Sequence, residues 1–590
     1  MVRFLLQPFR TARGRIFWPL VLLYLVINLI VVANLRHEVI VGYDSGAHMA
    51  YVEAVSHGHL PGPKDSNEFF SAPLSYVGPA ILRARGFSLN TSVRLGRDLQ
   101  VIYSLVITFV MLRLCLRVTP NHWARFVALL MLGMLPAYYR TMGLWRAETM
   151  LTMFAVIAAD VSLSLASGPQ QRHAKLKVVA LGVLMGLIIL TRQWGLMLFP
   201  AILLPQALAI LTILRGRFPR SAFAQLAAVL AIAFVLGGWF YVSLFVRFGS
   251  ATAFNRPPQP GPYLLRQPAS FYTSFPIRTI TRRPIVHELA RRLVPQFYSD
   301  LWGDYYLIFA VYGQDGRGRL IHGRPLLTRL RSGERIYNNL DFMVRHMARN
   351  NVVSIVPTVV SLVGIGYGTF LLARIIVGAI GGVPPSPCTQ GEGGGEGTSP
   401  SQRTTLSPTL SLSTGRGSEA LALAMFTTAI LATAAGYLWF LIGYTDGTGD
   451  TIKATYMLQV FPFGAILSAA VFDLLLRAGR SSWMYWTMLV AMLAVATHNS
   501  PAYFSRYFGL PDPNAPTTAP KIARGPRMPP SRPQLGRRSA TTMKKQPATT
   551  KPKRPARKKR PAATTTTTTR PATVVPNSPF PATRVESRDP

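Results

Sequence analysis

Residues 16–34 read IFWPLVLLYLVINLIVVAN, a run with no charged side chain. A helix needs roughly 20 apolar residues to cross a bilayer core, and the apolar part of a cleavable leader runs only about 7–15. The run is therefore expected to be an uncleaved anchor helix, and that reading decides the class of the chain. Moving outward, comparable stretches recur near residues 98–116, 125–139, 148–166, 178–191, 194–213, 222–244, 352–376, 419–442, 454–474 and 483–499. The fold class that follows is all-α: a polytopic integral membrane protein of about 11 transmembrane helices, with structured non-cytoplasmic loops bearing juxtamembrane helices. Composition agrees. Of 590 residues 49% are hydrophobic and only 15% charged, mean hydropathy is +0.26, and soluble chains carry about a quarter charged residues.

Arginine and lysine set the expected orientation, because cytoplasmic flanks collect them. Arg3, Arg10, Arg13 and Arg15 precede the first span. Arg117 with Arg125, then Arg172, Lys175 and Lys177, then Arg215, Arg217 and Arg220, and finally Arg477 and Arg480 occupy alternate loops. All fall on one side if the N-terminus is cytoplasmic and the chain sits in the cytoplasmic (inner) membrane. An odd number of spans then carries the basic C-terminal segment across, although long terminal segments obey the charge rule poorly. The non-cytoplasmic side receives the longest loops, 35–97 and 245–351, and loops of that size are usually functional or structured on their own.

The expected domains are a transmembrane core over 1–382 and 419–500, a low-complexity flexible insertion at 383–418, and a disordered basic tail over 510–590. The insertion is rich in Gly, Ser, Thr and Pro. The tail contains KPKRPARKKR and TTTTTT, contributes to the formal charge of +40, and has too little apolar surface to offset ordering entropy. It suits anionic lipid headgroups or cell-wall polymers. With almost no aromatic residues to stack on bases, no specific nucleic acid is expected. Cys115 and Cys388 are isolated, which gives no support to a disulfide framework or a thiolate metal site. No GxxxxGK[ST] loop is present, which argues against an ATP-driven pump.

The chemistry begins just past the anchor. In VGYDSGAHMAYVEAV (41–55), Asp44, His48 and Tyr51 recur at helical spacing on one face. Ionisable groups so close to a membrane are functional candidates, although Asp44 is also placed to cap a helix. The stretches YDSGAHMAYVEAVSHGHLP (43–61), EFFSAPLSYVGPAIL (68–82) and RLGRDLQVIYSLV (94–106) resemble the start of the polyprenyl-phosphate-dependent glycosyltransferases of the C superfamily, a group that includes protein O-mannosyltransferases and the lipid A aminoarabinose transferase. That group shows an anchor, Tyr-Asp-Glu, a Gly-x-Leu/Trp turn, Pro-Pro-Leu-x-Tyr and an Arg-Leu pair. They correspond here to Tyr43-Asp44-Ser45, Gly58-His59-Leu60, Ala72-Pro73-Leu74-Ser75-Tyr76 and Arg94-Leu95. Further echoes are LWRAETMLTMFAV (144–156), LGVLMGLIILTRQWGLMLFPAILL (181–204), FYSDLWGDYY (297–306) and KATYMLQVFP (453–462), so the similarity is spread over residues 16 to about 475. Two departures stand out: Ser45 replaces a carboxylate and Ala72 replaces a proline.

The resemblance implies transfer of a sugar from a polyprenyl-phosphate donor to a hydroxyl of a lipid, glycan or protein acceptor, at the outer face and among membrane lipids. Such an enzyme must deprotonate the acceptor and neutralise a departing phosphate. The implied catalytic residues are Asp44, as general base, and Glu148, as its orienting partner or a second acid. His48, Glu68, Tyr76, Arg146, Arg192, Trp302, Asp304, Lys453 and Tyr456 are the implied substrate-binding residues. Trp302 and Asp304 are read as a platform for a sugar ring, and the cations as phosphate ligands, with Arg292 a further cation beside the long loop. A divalent metal is a candidate cofactor, since Asp44, His48, Glu68 and Glu148 offer oxygen and nitrogen ligands, but Ser45 removes one ligand and none is required. His57 and His59 read as loop residues. A polyprenyl-linked glycan polymerase or ligase is the alternative enzyme; a transporter is disfavoured because no matched pair of interrupted spans suggests inverted repeats.

Overall fold

The computed structural model describes residues 2–35, 39, 44–166, 173–213, 220–255, 262–282, 284, 292–303, 340–380, 415–444, 451–478 and 482–504. Among the described residues the chain is helical, without a β-strand; a single bridge joins Arg10 to Ile16. Among these described residues seven helices are long and apolar enough to cross a membrane: Leu89–Val118, Ala147–Ala166, Ala174–Thr191, Ser221–Phe248, Ile355–Gly378, Ser418–Gly443 and Ala454–Arg477. Four shorter apolar helices, Trp18–Asn34, His122–Met134, Gln193–Leu208 and Tyr485–His498, coincide with the remaining expected segments. The tail at 510–590 lies outside the described residues. So does the insertion at 383–418, except that its last residues begin the helix Gly415–Gly443.

Trp18–Asn34 shows how the pattern becomes packing. Pro19 sits in the first turn, where its missing N–H breaks no helical bond. Leu20, Ile27, Ile30 and Val31 are buried while Leu22, Leu25 and Leu29 are exposed. An exposed leucine stripe of that kind suits lipid, not water. The two amides turn inward on their own helix: Asn28 Nδ2 donates to Tyr24 O (2.6 Å) and Asn34 Nδ2 to Ile30 O (2.8 Å).

One expected span is corrected. Residues 125–139 do not form one helix, because His122–Met134 stops and Pro136–Gly143 starts afresh. The cause is Pro136, which holds Leu135 extended (φ −70°, ψ 110°) and cannot donate to the preceding turn. The short second helix packs on the end of the anchor, where Gly143 lies against Asn34 and Arg140 Nη1 donates to Asn34 Oδ1 (3.1 Å).

Cations gather at the opposite end of the bundle. Arg117 Nη2 meets Asp160 Oδ1 at 2.7 Å with Arg113 beside it, and the buried Arg125 donates to Pro8 O and Arg10 O, tying down the amino-terminal residues. The loop at 35–97 folds into Ser45–Ser56, Leu74–Ala84 and Leu89–Asp98, packed around Tyr51, Val52, Tyr76, Ala80 and Val93. Ser88 Oγ caps the third helix by accepting from Thr91 N at 3.2 Å.

Candidate functional site

The anchor delivers the chain to Asp44, at the end of the bundle away from Arg113, Arg117 and Arg125. Asp44 occupies the N-cap position of Ser45–Ser56 but makes no side-chain cap bond. Its backbone is left-handed (φ 61°), a conformation that costs a non-glycine residue energy unless surroundings hold it. The carboxylate turns instead to Lys453: Nζ donates to Oδ2 at 3.3 Å, and Arg146 Nη2 stands 3.9 Å from the same oxygen. Lys453 is itself clamped, since Tyr437 Oη accepts from Lys453 N (2.7 Å) and donates to Lys453 O (3.1 Å).

The Lys453 and Arg146 side chains are 5% and 4% exposed, whereas that of Asp44 is 44% exposed. Partial burial would raise the carboxylate pKa, but the charges of Lys453 and Arg146 outweigh it and hold Asp44 well below the usual carboxylate range. Solvent at the exposed face screens part of that attraction. In the resting site Asp44 is a counter-ion, fully charged at neutral pH.

Behind Asp44 runs a directed set of hydrogen bonds. A guanidinium can only donate, so the contact of Arg146 Nη1 with His48 Nε2 (2.5 Å) makes that nitrogen an acceptor and leaves the ring proton on Nδ1. Nδ1 then donates to Tyr76 Oη at 2.8 Å. Beside Tyr76, Tyr51 Oη donates to Ser71 O at 2.8 Å, and Ser71 Oγ donates to Glu68 Oε2 at 2.5 Å. Arg192 closes the set: Nη1 reaches Ser71 Oγ and Glu68 Oε2 (3.1 Å), and Nε donates to Glu148 Oε1 at 3.1 Å. His48 is thus neutral. Burial, followed by the Arg146 and Arg192 charges, pushes its pKa well below the ordinary value. Tyr76 stacks on Tyr51 (3.9 Å between centroids), with Trp145 edge-on to it, so the rings fix the polar groups in place.

Two polar features add to the sequence reading, one at the expected Glu148 and one at Asp300, which the sequence did not single out. Glu148 is 2% exposed, and its Oε2 has no hydrogen-bond partner among the described residues. Asp300 Oδ2 accepts from Ala454 N at 2.5 Å and fixes the strand of chain that presents Lys453. A small cavity of about 30 Å³, lined by Glu68, Ser71, Arg192, Trp194, Phe254 and Tyr456 among others, adjoins the cluster.

Of the expected residues, Asp44, His48, Glu68, Tyr76, Arg146, Glu148, Arg192, Lys453 and Tyr456 converge. Tyr456 lies beside Lys453, with Nζ 5.7 Å from its ring centroid. Trp302 does not join them: it is 1% exposed, and its indole N–H donates to Thr358 Oγ1 at 2.8 Å. That burial leaves no face for a sugar ring, so the platform expectation is corrected. Asp304 lies outside the described residues. Motif reading pointed to the right segment but did not name Asp300; nothing in FYSDLWGDYY marks Asp300 as the acid that supports Lys453.

The donor set does not suit a divalent metal. Asp44 is taken by Lys453 and Arg146, His48 Nε2 by Arg146, and Glu68 and Glu148 by Arg192. Among the described residues, no group of three or more His, Cys, Asp or Glu side chains converges as a metal site.

No protein-family model matches the chain, and no curated protein does. Among solved structures the chain is similar to ArnT from Cupriavidus metallidurans bound to undecaprenyl phosphate, with 14% identity and a TM-score of 0.31 over 77% of this chain and 78% of that one. The apo state of the same protein gives 13% identity and a TM-score of 0.30, covering 77% and 79%. The apo oligosaccharyltransferase of Archaeoglobus fulgidus gives 15% and 0.38 over 82% of this chain, which spans 55% of that enzyme.

Proposed function

We propose that the chain is a membrane glycosyltransferase that moves a sugar from a polyprenyl-phosphate donor to an acceptor hydroxyl at the outer face of the cytoplasmic membrane. One observation carries the reading: a carboxylate, Asp44, meets two buried cations, Lys453 and Arg146, drawn from segments far apart in sequence. The arginine-rich end of the bundle, around Arg113, Arg117 and Arg125, would face the cytoplasm, which leaves this cluster outside.

The arrangement suits the reaction. The donor phosphate, a diester with one negative charge, competes for Lys453 and Arg146, which would then neutralise the second charge that develops on it as the bond to the sugar breaks. Losing its ammonium partner frees Asp44 to accept the acceptor's proton. The acceptor oxygen bonds to the anomeric carbon as the bond from that carbon to the phosphate oxygen breaks. The polyprenyl phosphate leaves with the electron pair, and the proton passes through Asp44 to water. Glu148 acts by orienting Arg192, which with Glu68 and Ser71 holds Tyr51, the ring stacked on Tyr76 of the Tyr76–His48–Arg146 series. Lipid, glycan and protein hydroxyls all fit this chemistry.

The test is sugar transfer in proteoliposomes supplied with a radiolabelled polyprenyl-phosphate sugar. Asp44→Asn keeps shape and donor binding but removes the basic oxygen, and transfer should fall roughly 10²–10⁴-fold. Near wild-type transfer by that variant would remove Asp44 from the role. Sugar uptake without transfer would favour a transporter.

A further inference from the structure

A second charged feature lies apart from the Asp44 cluster. The helix Leu340–Val353 carries Arg345 and Arg349 one turn apart, on the same face. Like charges at that spacing repel. Arg282, at the end of Ile277–Arg282, adds a third guanidinium to the same cleft of about 530 Å³, with Thr281, Ala348, Val352, Val353 and His498 as the remaining lining. No carboxylate lines it, and among the described residues none pairs with any of the three arginines.

The walls are built rigidly. Asn351 Nδ2 donates to Ile280 O (3.0 Å) and Ser299 Oγ (2.9 Å), Asn350 Nδ2 donates to Trp302 O (2.7 Å), and both asparagines are fully buried. His498 stacks on His346 with centroids 4.8 Å apart, which brings the last helix to the same wall. The cleft sits where chain meets the apolar layer, because the spanning helix Ile355–Ile380 starts two residues after Val353 and His498 closes the apolar helix Tyr485–His498. Its apolar rim includes Val352, 48% exposed. Asn350 bonds Trp302 O, and Asp300 on the same helix accepts from Ala454 N next to Lys453, so the cleft lies at the same end of the bundle as Asp44.

We propose that this cleft binds the phosphate headgroup of an anionic membrane lipid, with the three guanidiniums on the phosphate and the acyl chains beginning along Ala348, Val352 and Val353. Guanidiniums match phosphate oxygens by planar paired donation, and an anion relieves the Arg345–Arg349 repulsion that the bare chain carries. An inorganic phosphate satisfies the same charges but gains nothing from the apolar rim. The site does not depend on the sugar-transfer reading.

The full-length protein in nanodiscs of phosphatidylcholine, doped with phosphatidylglycerol, tests it through retained lipid in native mass spectrometry. Wild type should retain phosphatidylglycerol preferentially, and Arg282→Gln and Arg349→Gln should each weaken retention roughly fivefold. Unchanged retention in both variants would overturn the assignment. In detergent without lipid, equilibrium binding of radiolabelled inorganic phosphate, alone and against added phosphatidylglycerol, separates the two sources. Displacement by the lipid at a far lower concentration supports a headgroup site, and inorganic phosphate binding as tightly as the lipid overturns it. Val352→Ser, which leaves the arginines in place, should weaken lipid but not inorganic phosphate; equal loss of both would also count against the lipid.

Discussion

Replacing Arg192 by methionine tests the central claim about how the site is held. Its side chain is 7% exposed, and its guanidinium lies 3.1 Å from both Glu68 Oε2 and Glu148 Oε1, whose side chains are 11% and 2% exposed. Removing one partner of a buried ion pair generally costs about 3–5 kcal/mol, because the other charge stays buried without compensation. Here two carboxylates lose the same cation, so Arg192→Met should cost at least the lower bound, a large share of the stability of an ordinary fold. The loss should be recoverable. Glu148→Gln in the Arg192→Met background removes the more deeply buried charge, and the pair should couple by roughly 0.5–3 kcal/mol. Denaturant unfolding of the purified protein in mild detergent, followed by tryptophan fluorescence, gives both numbers. A single variant within about 0.5 kcal/mol of wild type, or a double variant whose losses simply add, would show that Arg192 does not carry the two acids.

Lys453→Met should change the pH profile as well as the rate. The Lys453 and Arg146 charges hold the Asp44 pKa down, so the ionised form persists as pH falls through the ordinary carboxylate range and is lost only below it. Without Lys453 the pKa climbs back toward about 4, and an acid limb should enter the kcat/KM profile below about pH 5, where none is expected from this group in wild type. Identical limbs in the two proteins would contradict the ion pair. His48→Phe keeps the ring between Tyr76 and Trp145 but removes the acceptor for Arg146; KM for the lipid donor should rise severalfold with little change in unfolding midpoint, and an unchanged KM would separate Arg146 from the donor phosphate. Gly143→Ala should destabilise by about 1–3 kcal/mol through overpacking, because a Cβ there would stand 2.6 Å from Asn34 O, a backbone atom that cannot swing aside. A midpoint equal to wild type would mean that the anchor and Pro136–Gly143 are not in contact.

The spans were legible because a bilayer imposes a single strong requirement, a long uncharged run, on each segment separately. Where the chain also had to obey a local rule, composition alone misled. Residues 126–139 carry no charge, yet Pro136 divides them, and the proline was visible in the sequence all along. The site was legible only in pieces. Asp44 and Lys453 are 409 positions apart, and no spacing rule brings them together. Their motifs named them one at a time, and only the packed bundle sets Nζ on Oδ2. Trp302 shows the opposite failure: an aromatic residue beside an acid reads as a sugar platform, but burial of the indole and its bond to Thr358 place it in the core.

Ser45 makes sense against that geometry. A second carboxylate beside Asp44 would need its own cation or metal, and the cations within reach are already committed. Lys453 and Arg146 serve Asp44, Arg146 also serves His48, and Arg192 serves Glu68 and Glu148. With serine at 45 the local sum is one exposed carboxylate between two buried cations, a site with spare positive charge. That surplus is what a phosphate-bearing donor would meet, and a Ser45→Asp variant should lose it. Donor KM should then rise by roughly tenfold, the equivalent of about 1.4 kcal/mol, and addition of a divalent metal should restore affinity by supplying the missing charge. A variant that binds donor as tightly as wild type in the presence of a chelator would show that the surplus charge plays no part in holding the phosphate.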